Sequence, residues 1–148
     1  MIAVDTNVLV FAEITNSPHH RRARDLLSSL ADGPIPWAIP WPCVYEFLRV
    51  VTHPRVFHPP VPAARALEDI GQILLSPSLV LLRETGRHTA IMRQVIEESG
   101  ATGNLLHDAH IAALCREHGV GEIVTGDRDF SRFNGLAVTN PFGGREAS

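Results

Sequence analysis

The apolar residues of the chain fall into two alternating rhythms. Short unbroken apolar runs, with the length and β-branched content of strands, occur at residues 2–5, 79–82, 122–125 and 136–139. Between them, apolar positions recur every three or four residues, the period of a helix with one buried face. This spacing predicts helices over 7–13, 19–30, 43–52, from Pro62 through Leu74, and over 87–99 and 104–118. Gly100 and Gly119 close the last two, where a left-handed residue ends a helix. A further strand over 35–39 is weakened by Pro34, Pro36 and Pro40, which predicts an edge or irregular piece. Residues 79–82 read as a buried strand, and 53–62, with Pro54, Pro59 and Pro60, as a loop. Strands alternating with helices imply an α/β domain with a mostly parallel sheet and right-handed crossovers. No repeat or low-complexity linker divides residues 1–148, so a single domain is expected.

Composition narrows the chemistry. All 13 basic residues are arginine, so mechanisms that need a lysine, such as a P-loop or a Schiff base, are excluded. A net charge of −3 argues against a nucleic-acid coat protein, yet leaves room for a nuclease whose acidic pocket is inverted by bound cations. No apolar run reaches membrane-spanning length and no basic leader precedes the first strand, which makes the cytoplasm the expected location. Cys43 and Cys115 lack metal-ligand spacing and read as buried small hydrophobes.

Bare carboxylates follow the most strand-like runs: Asp5 after Ile2-Ala3-Val4, and Asp127 after Ile123-Val124-Thr125-Gly126. In a parallel sheet these ends share one edge, where ligands bind. Asp108 reaches the same height. Its helix descends roughly 16 Å to His118 at ~1.5 Å per residue, and the strand 122–125 climbs back about 13 Å at ~3.3 Å per residue. Asp108 also interrupts the apolar stripe Leu105, Ile111, Ala112 and Cys115. It can complement the helix dipole, but its convergence with Asp5 and Asp127 favours a site. Glu46, on the helix 43–52, pairs by spacing alone with Arg49.

Two carboxylates about 5 Å apart repel by roughly 3 kcal/mol at an effective dielectric near 20. A group of them must protonate or hold a cation. Oxygen-only ligands suit Mg²⁺ or Mn²⁺, and such an ion supports phosphodiester hydrolysis.

The segments IAVDTNVLV, VYEFLRV, ATGNLLHDAHIAAL, VTGDRDFSRF and VTNPF, in this order and spacing, resemble the PIN domain, and more narrowly the VapC-type toxins of bacterial toxin–antitoxin pairs. The resemblance spans essentially the whole chain. It implies a three-layer α/β/α fold and a Mg²⁺-dependent endoribonuclease held inactive by a VapB-type antitoxin, with a homodimer expected. By the same resemblance Asp5 and Asp108 match direct metal ligands, Glu46 the second acidic position and Asp127 the fourth. Thr6 and Asn7 match the polar pair after the first aspartate, and Thr125 a supporting residue expected to bond Asp5 or water. Asp129 stands ready to share or replace the role of Asp127, which is favoured because Asp129-Phe130 reads as the start of a turn. Where some relatives carry further acids, this chain has His107 and His110, read as surface or supporting residues.

Arginine suits phosphate contact through its planar fork, and Arg128 and Arg49 are the candidates for RNA binding. Trp37 and Trp41 are read as core residues ahead of the Glu46 helix. Three alternatives remain. A haloacid-dehalogenase-like phosphatase or receiver domain fits poorly, since Asn7 stands where the former needs aspartate and lysine is absent. A structure-specific DNA nuclease of the same fold, or a catalytically idle interaction module, differs in what an assay on RNA and DNA would show.

Overall fold

The computed structural model describes residues 1–143. Its elements run β1 (Ile2–Val4), α1 (Thr6–Glu13), α2 (His20–Asp32), β2 (Trp37–Pro40), α3 (Trp41–Val51), α4 (Ala63–Ile73), β3 (Leu79–Leu82), α5 (His88–Ser99), α6 (Leu105–Glu117), β4 (Glu122–Val124) and β5 (Ala137–Thr139). A 3-10 turn, Arg128–Arg132, joins the last two strands. The five strands form one sheet in the order β3-β2-β1-β4-β5. Every pairing is parallel, with Ala3 aligned on Ala38 on one side and on Ile123 on the other.

The chain winds outward from β1 through β2 to β3, then returns to place β4 on the other side of β1. Right-handed crossovers in these two directions put α1–α4 on one face and α5–α6 on the other, giving three layers. The reversal lies between β1 and β4. At such a switch point the loops after neighbouring strands diverge and leave a crevice at the carboxyl edge of the sheet.

Two strands differ from the sequence reading. β2 is an inner strand and all four of its residues are buried, Trp37 fully. Its prolines are tolerated because Pro36 precedes the ladder and Pro40 ends it, doubling as the cap of α3 with Pro42 in the first turn. β3, read as buried, is an edge strand with Val80 37% exposed. Trp37 therefore lies in a strand, and half-buried Trp41 opens α3 and stacks at a tilt near Tyr45. The helix stops agree with the glycines: Gly100 and Gly119 have φ of 69° and 70°, a region costly for residues with a Cβ.

The core joins both helical layers through the sheet. Val4, Ile39 and Ile123 sit at its centre, Leu9 and Phe47 fill one side, and Ile111 and Leu114 the other, all at most 4% exposed. Cys43 and Cys115 are buried with free thiols, and burial pushes the Cys115 thiol up to about 12. Among the described residues no helix is long and apolar enough to cross a membrane.

Candidate active site

β1 ends one residue earlier than the sequence pattern implied, because Asp5 serves as the N-cap of α1. Its backbone is extended, its N–H still donates to Val124 O across to β4 (3.1 Å), and its Oδ1 accepts from the Thr6 N–H at 2.7 Å. The other oxygen, Oδ2, accepts from the Thr125 hydroxyl at 2.7 Å. That hydroxyl in turn accepts from the Asp127 N–H (2.9 Å) and from Asn7 Nδ2 (3.0 Å). Asn7 Oδ1 accepts from the Gly126 N–H at 3.1 Å, so one side chain ties the first turn of α1 to the loop after β4. Asp5 is 6% exposed and Thr125 fully buried. Burial raises the Asp5 pKa, against the lowering effect of the bonds from Thr125, Thr6 and Cys43. The carboxylate is thus held in one orientation by bonds that leave its environment short of positive charge.

Asp108, in the first turn of α6, rises from the opposite layer to meet this loop. Carboxylate oxygens of Asp108, Asp127 and Asp129 all lie within 4.8 Å of one another. The Asp108 pKa is pushed up to about 7, first by burial, then by the charges of Asp127, Asp5 and Asp129. Asp127 caps the 3-10 turn by accepting the Asp129 N–H at 2.9 Å. The turn expected at Asp129-Phe130 is therefore present, and it carries Asp129 into the cluster instead of away from it.

A pocket of about 420 Å³ opens beside these acids, lined among others by Asp5, Thr6, Asn7, Glu46, Asp108 and Asp127, with an apolar wall from Phe11 and Phe57. Glu46 faces it from α3 but stands outside the tight trio. Its carboxylate is engaged by Arg49 through two bonds of 2.6 and 3.2 Å, which hold its pKa below the usual range. The helical pair expected from spacing is thus formed, and it occupies both Glu46 and the Arg49 guanidinium proposed for RNA. Arg128 is exposed on the 3-10 turn between Asp127 and Asp129. His107 lines the pocket rim, whereas His110 turns to Glu84.

The donor set fits a hard divalent cation. All the clustered groups are carboxylates, with no thiol or imidazole in the trio. Carboxylates this close repel by about 3 kcal/mol per pair at an effective dielectric near 20, a cost that a dication reverses. The buried Thr6 hydroxyl, also on the pocket, has no hydrogen-bond partner among the described residues.

Asp5 and Asp127 straddling the switch point, with Asp108 from α6, the helix before β4, form an arrangement for which known families supply a match. The sequence matches the PIN domain family over residues 2–136. This chain is a PIN domain. It is similar to ribonuclease VapC48 of Mycobacterium tuberculosis, 36% identical over 140 residues that cover 95% of this chain and 97% of the relative. Among solved structures, VapBC2 from Rickettsia felis, bound to a DNA fragment from its promoter, superposes with a TM-score of 0.66 at 20% identity, covering 95% and 98% of the two chains. VapC20 of Mycobacterium tuberculosis, a sarcin-ricin loop cleaving toxin, superposes with a TM-score of 0.64 at 18% identity over 88% and 93%.

Within this PIN domain, sequence reasoning missed three features. The Cys43 thiol donates to Asp5 Oδ1 at 3.6 Å, a contact invisible in spacing because residues 5 and 43 meet only through the β1–β2 pairing. The Asn7–Gly126 brace crosses 119 positions of sequence. The side chains of Glu117, His88 and Thr85 form a network on the far helical layer that no local pattern announces.

Proposed function

We propose that this PIN domain is a metal-dependent endoribonuclease, the toxin of a toxin–antitoxin pair, acting as a single-domain protein in the cytoplasm. The observation that carries this reading is the close meeting of Asp108, Asp127 and Asp129, with Asp5 beside them on the pocket it shares with Asp108 and Asp127 at the switch point of the sheet. The relatives named ribonucleases support the substrate class, and the structural neighbours solved with their antitoxins support the partner.

In this reading Asp5 and Asp108 are the direct ligands of a Mg²⁺ ion, for which Mn²⁺ can substitute. Asp127 and Asp129 complete the acidic ring, and Glu46 joins once its bond to Arg49 opens. The ion would supply positive charge beside a scissile phosphate and favour ionisation of an attacking water. Thr125, Thr6 and Asn7 keep Asp5 in a single rotamer, so little reorganisation is needed when RNA arrives. Without the ion, burial and the neighbouring acids push the Asp108 pKa up to about 7, so binding of the ion would displace a proton from that carboxylate. Arg128 and, once released, Arg49 contact the RNA phosphates. A homodimer is expected, and an antitoxin arginine placed over the acids would silence the pocket by charge alone.

The test is a panel of labelled RNA and DNA incubated with the chain in Mg²⁺, in EDTA, and with Asp5→Asn. RNA cleavage that needs Mg²⁺ and Asp5 is expected. Cleavage of DNA alone would assign a DNA nuclease of the same fold, and no cleavage of either would leave an interaction module. Adding the antitoxin encoded beside it should abolish cleavage.

A further inference from the structure

A second group of ligand-bearing side chains lies away from the acidic pocket. Glu84 follows β3 by two residues, His88 opens α5, and His110 lies on α6. One ligand atom from each falls within 4.8 Å of the others. His110 Nε2 meets Glu84 Oε2 at 2.7 Å, and the two imidazole rings are 5.2 Å apart, edge to face. These side chains are 51%, 22% and 30% exposed for Glu84, His88 and His110, so an ion can reach them from solvent.

What distinguishes this group from a surface ion pair is the buried support behind it. The Glu117 side chain is fully buried and accepts from His88 Nδ1, from the Thr85 N–H and from the Thr85 hydroxyl, the last two at 2.8 Å. Oε1 of Glu117 is taken up by the Thr85 N–H and hydroxyl and Oε2 by His88 Nδ1, so Nε2 is the ring nitrogen of His88 that remains available to a ligand. A carboxylate that fixes the tautomer of a histidine in this way is the usual second layer of a transition-metal site.

We propose that Glu84, His88 and His110 form a binding site for a divalent transition cation of the Zn²⁺ class, separate from the acidic pocket. Two imidazoles and one carboxylate make a borderline N₂O set, which favours Zn²⁺ over Mg²⁺. The ion replaces the contact between His110 and Glu84 and lies against an open pocket lined by Trp41, Tyr45 and Arg83, which leaves a coordination position for an outside ligand. Its seat is the carboxyl edge of the sheet at β3, two strands from β1, and it ties the β3–α5 loop to α6. The inference stands whether or not the acidic cluster holds Mg²⁺.

The experiment uses the full chain in excess Mg²⁺, titrated with Co²⁺ as a visible-absorbing probe and then with Zn²⁺. One equivalent of Co²⁺ should produce the intense ligand-field absorption of a low-coordinate nitrogen-containing site, and Zn²⁺ should displace it. Glu84→Gln, on an exposed position, should remove this absorption, as should His110→Gln, while Asp108→Asn leaves it intact. Glu117→Gln keeps an acceptor for Thr85 but turns an amide toward His88, which reverses the tautomer; affinity should fall by about 10–100-fold. Zn²⁺ should also raise the melting temperature of the parent chain and leave that of Glu84→Gln unchanged. Absence of the absorption, or a Co²⁺ signal that survives Glu84→Gln and vanishes in Asp108→Asn, overturns the proposal.

Discussion

Replacing Asp108 with asparagine should stabilise the metal-free protein while abolishing its activity. Asp108 titrates at about 7 in the folded chain against 3.8 as an ordinary carboxyl. Because its folded value is raised, the native state holds the extra proton between those two pH values, and stability falls as pH rises from about 4 to about 7. Below that window both states are protonated and the carboxyl costs nothing. Above it the charge stands unneutralised among Asp5, Asp127 and Asp129. A shift of about 3 units at ~1.4 kcal/mol each gives roughly 4 kcal/mol, and solvent screening of this half-exposed group reduces it to about 2 kcal/mol. In a chain of this size that is a rise in melting temperature of roughly 6–8 °C. The assay is thermal and urea unfolding in EDTA at pH 4 and pH 8, for the parent chain and Asp108→Asn. The gain should be present at pH 8, nearly absent at pH 4, and reduced by Mg²⁺, which stabilises the parent alone. An equal gain at both pH values, or none at pH 8, would refute the claim that Asp108 is destabilised by its acidic neighbours.

Further outcomes follow from the same geometry. Thr125→Val removes the hydroxyl that serves Asp5, Asn7 and the Asp127 N–H, and should cost about 1–3 kcal/mol in urea unfolding together with most of the cleavage rate. Asp127→Asn and Asp129→Asn, assayed side by side, should both lower Mg²⁺-supported cleavage, because both carboxylates belong to the trio; full activity in Asp129→Asn would return the role to Asp127 alone. Arg49→Ala breaks only a helical pair with 63% of the arginine side chain exposed, so stability should change by no more than ~0.5 kcal/mol. It frees Glu46, and Mg²⁺ affinity measured by calorimetry should hold or improve. Phe47→Ala, in the core beneath α3, should destabilise by about 3–5 kcal/mol without altering the pH dependence attributed to Asp108.

Much of this molecule is legible before any coordinates. Apolar period separates strands from helices, glycines at 100 and 119 end two of them, and the placement of Asp5, Asp108 and Asp127 relative to strand ends brings them to one rim. These are local properties, set by side-chain chemistry and by the fixed rise of each element. What local pattern leaves open is which strand lies inside and which acid finds which partner. Proline-flanked β2 is an inner strand because β1 and β3 pair on either side of it, a fact of assembly that its own residues do not encode. Glu46 is drawn to Arg49 on its own helix, while Asp129 enters the cluster because the 3-10 turn after β4 rotates it there. The bond between Asn7 and Gly126 joins the start of α1 to the loop after β4, and Glu117 meets His88 within the layer of α5 and α6; both join residues far apart in sequence and exist only once the chain has folded. Sequence determined the pieces and their apolar faces; tertiary packing decided the charge neighbourhoods, because electrostatic coupling depends on distance in space and on burial that the complete fold alone creates.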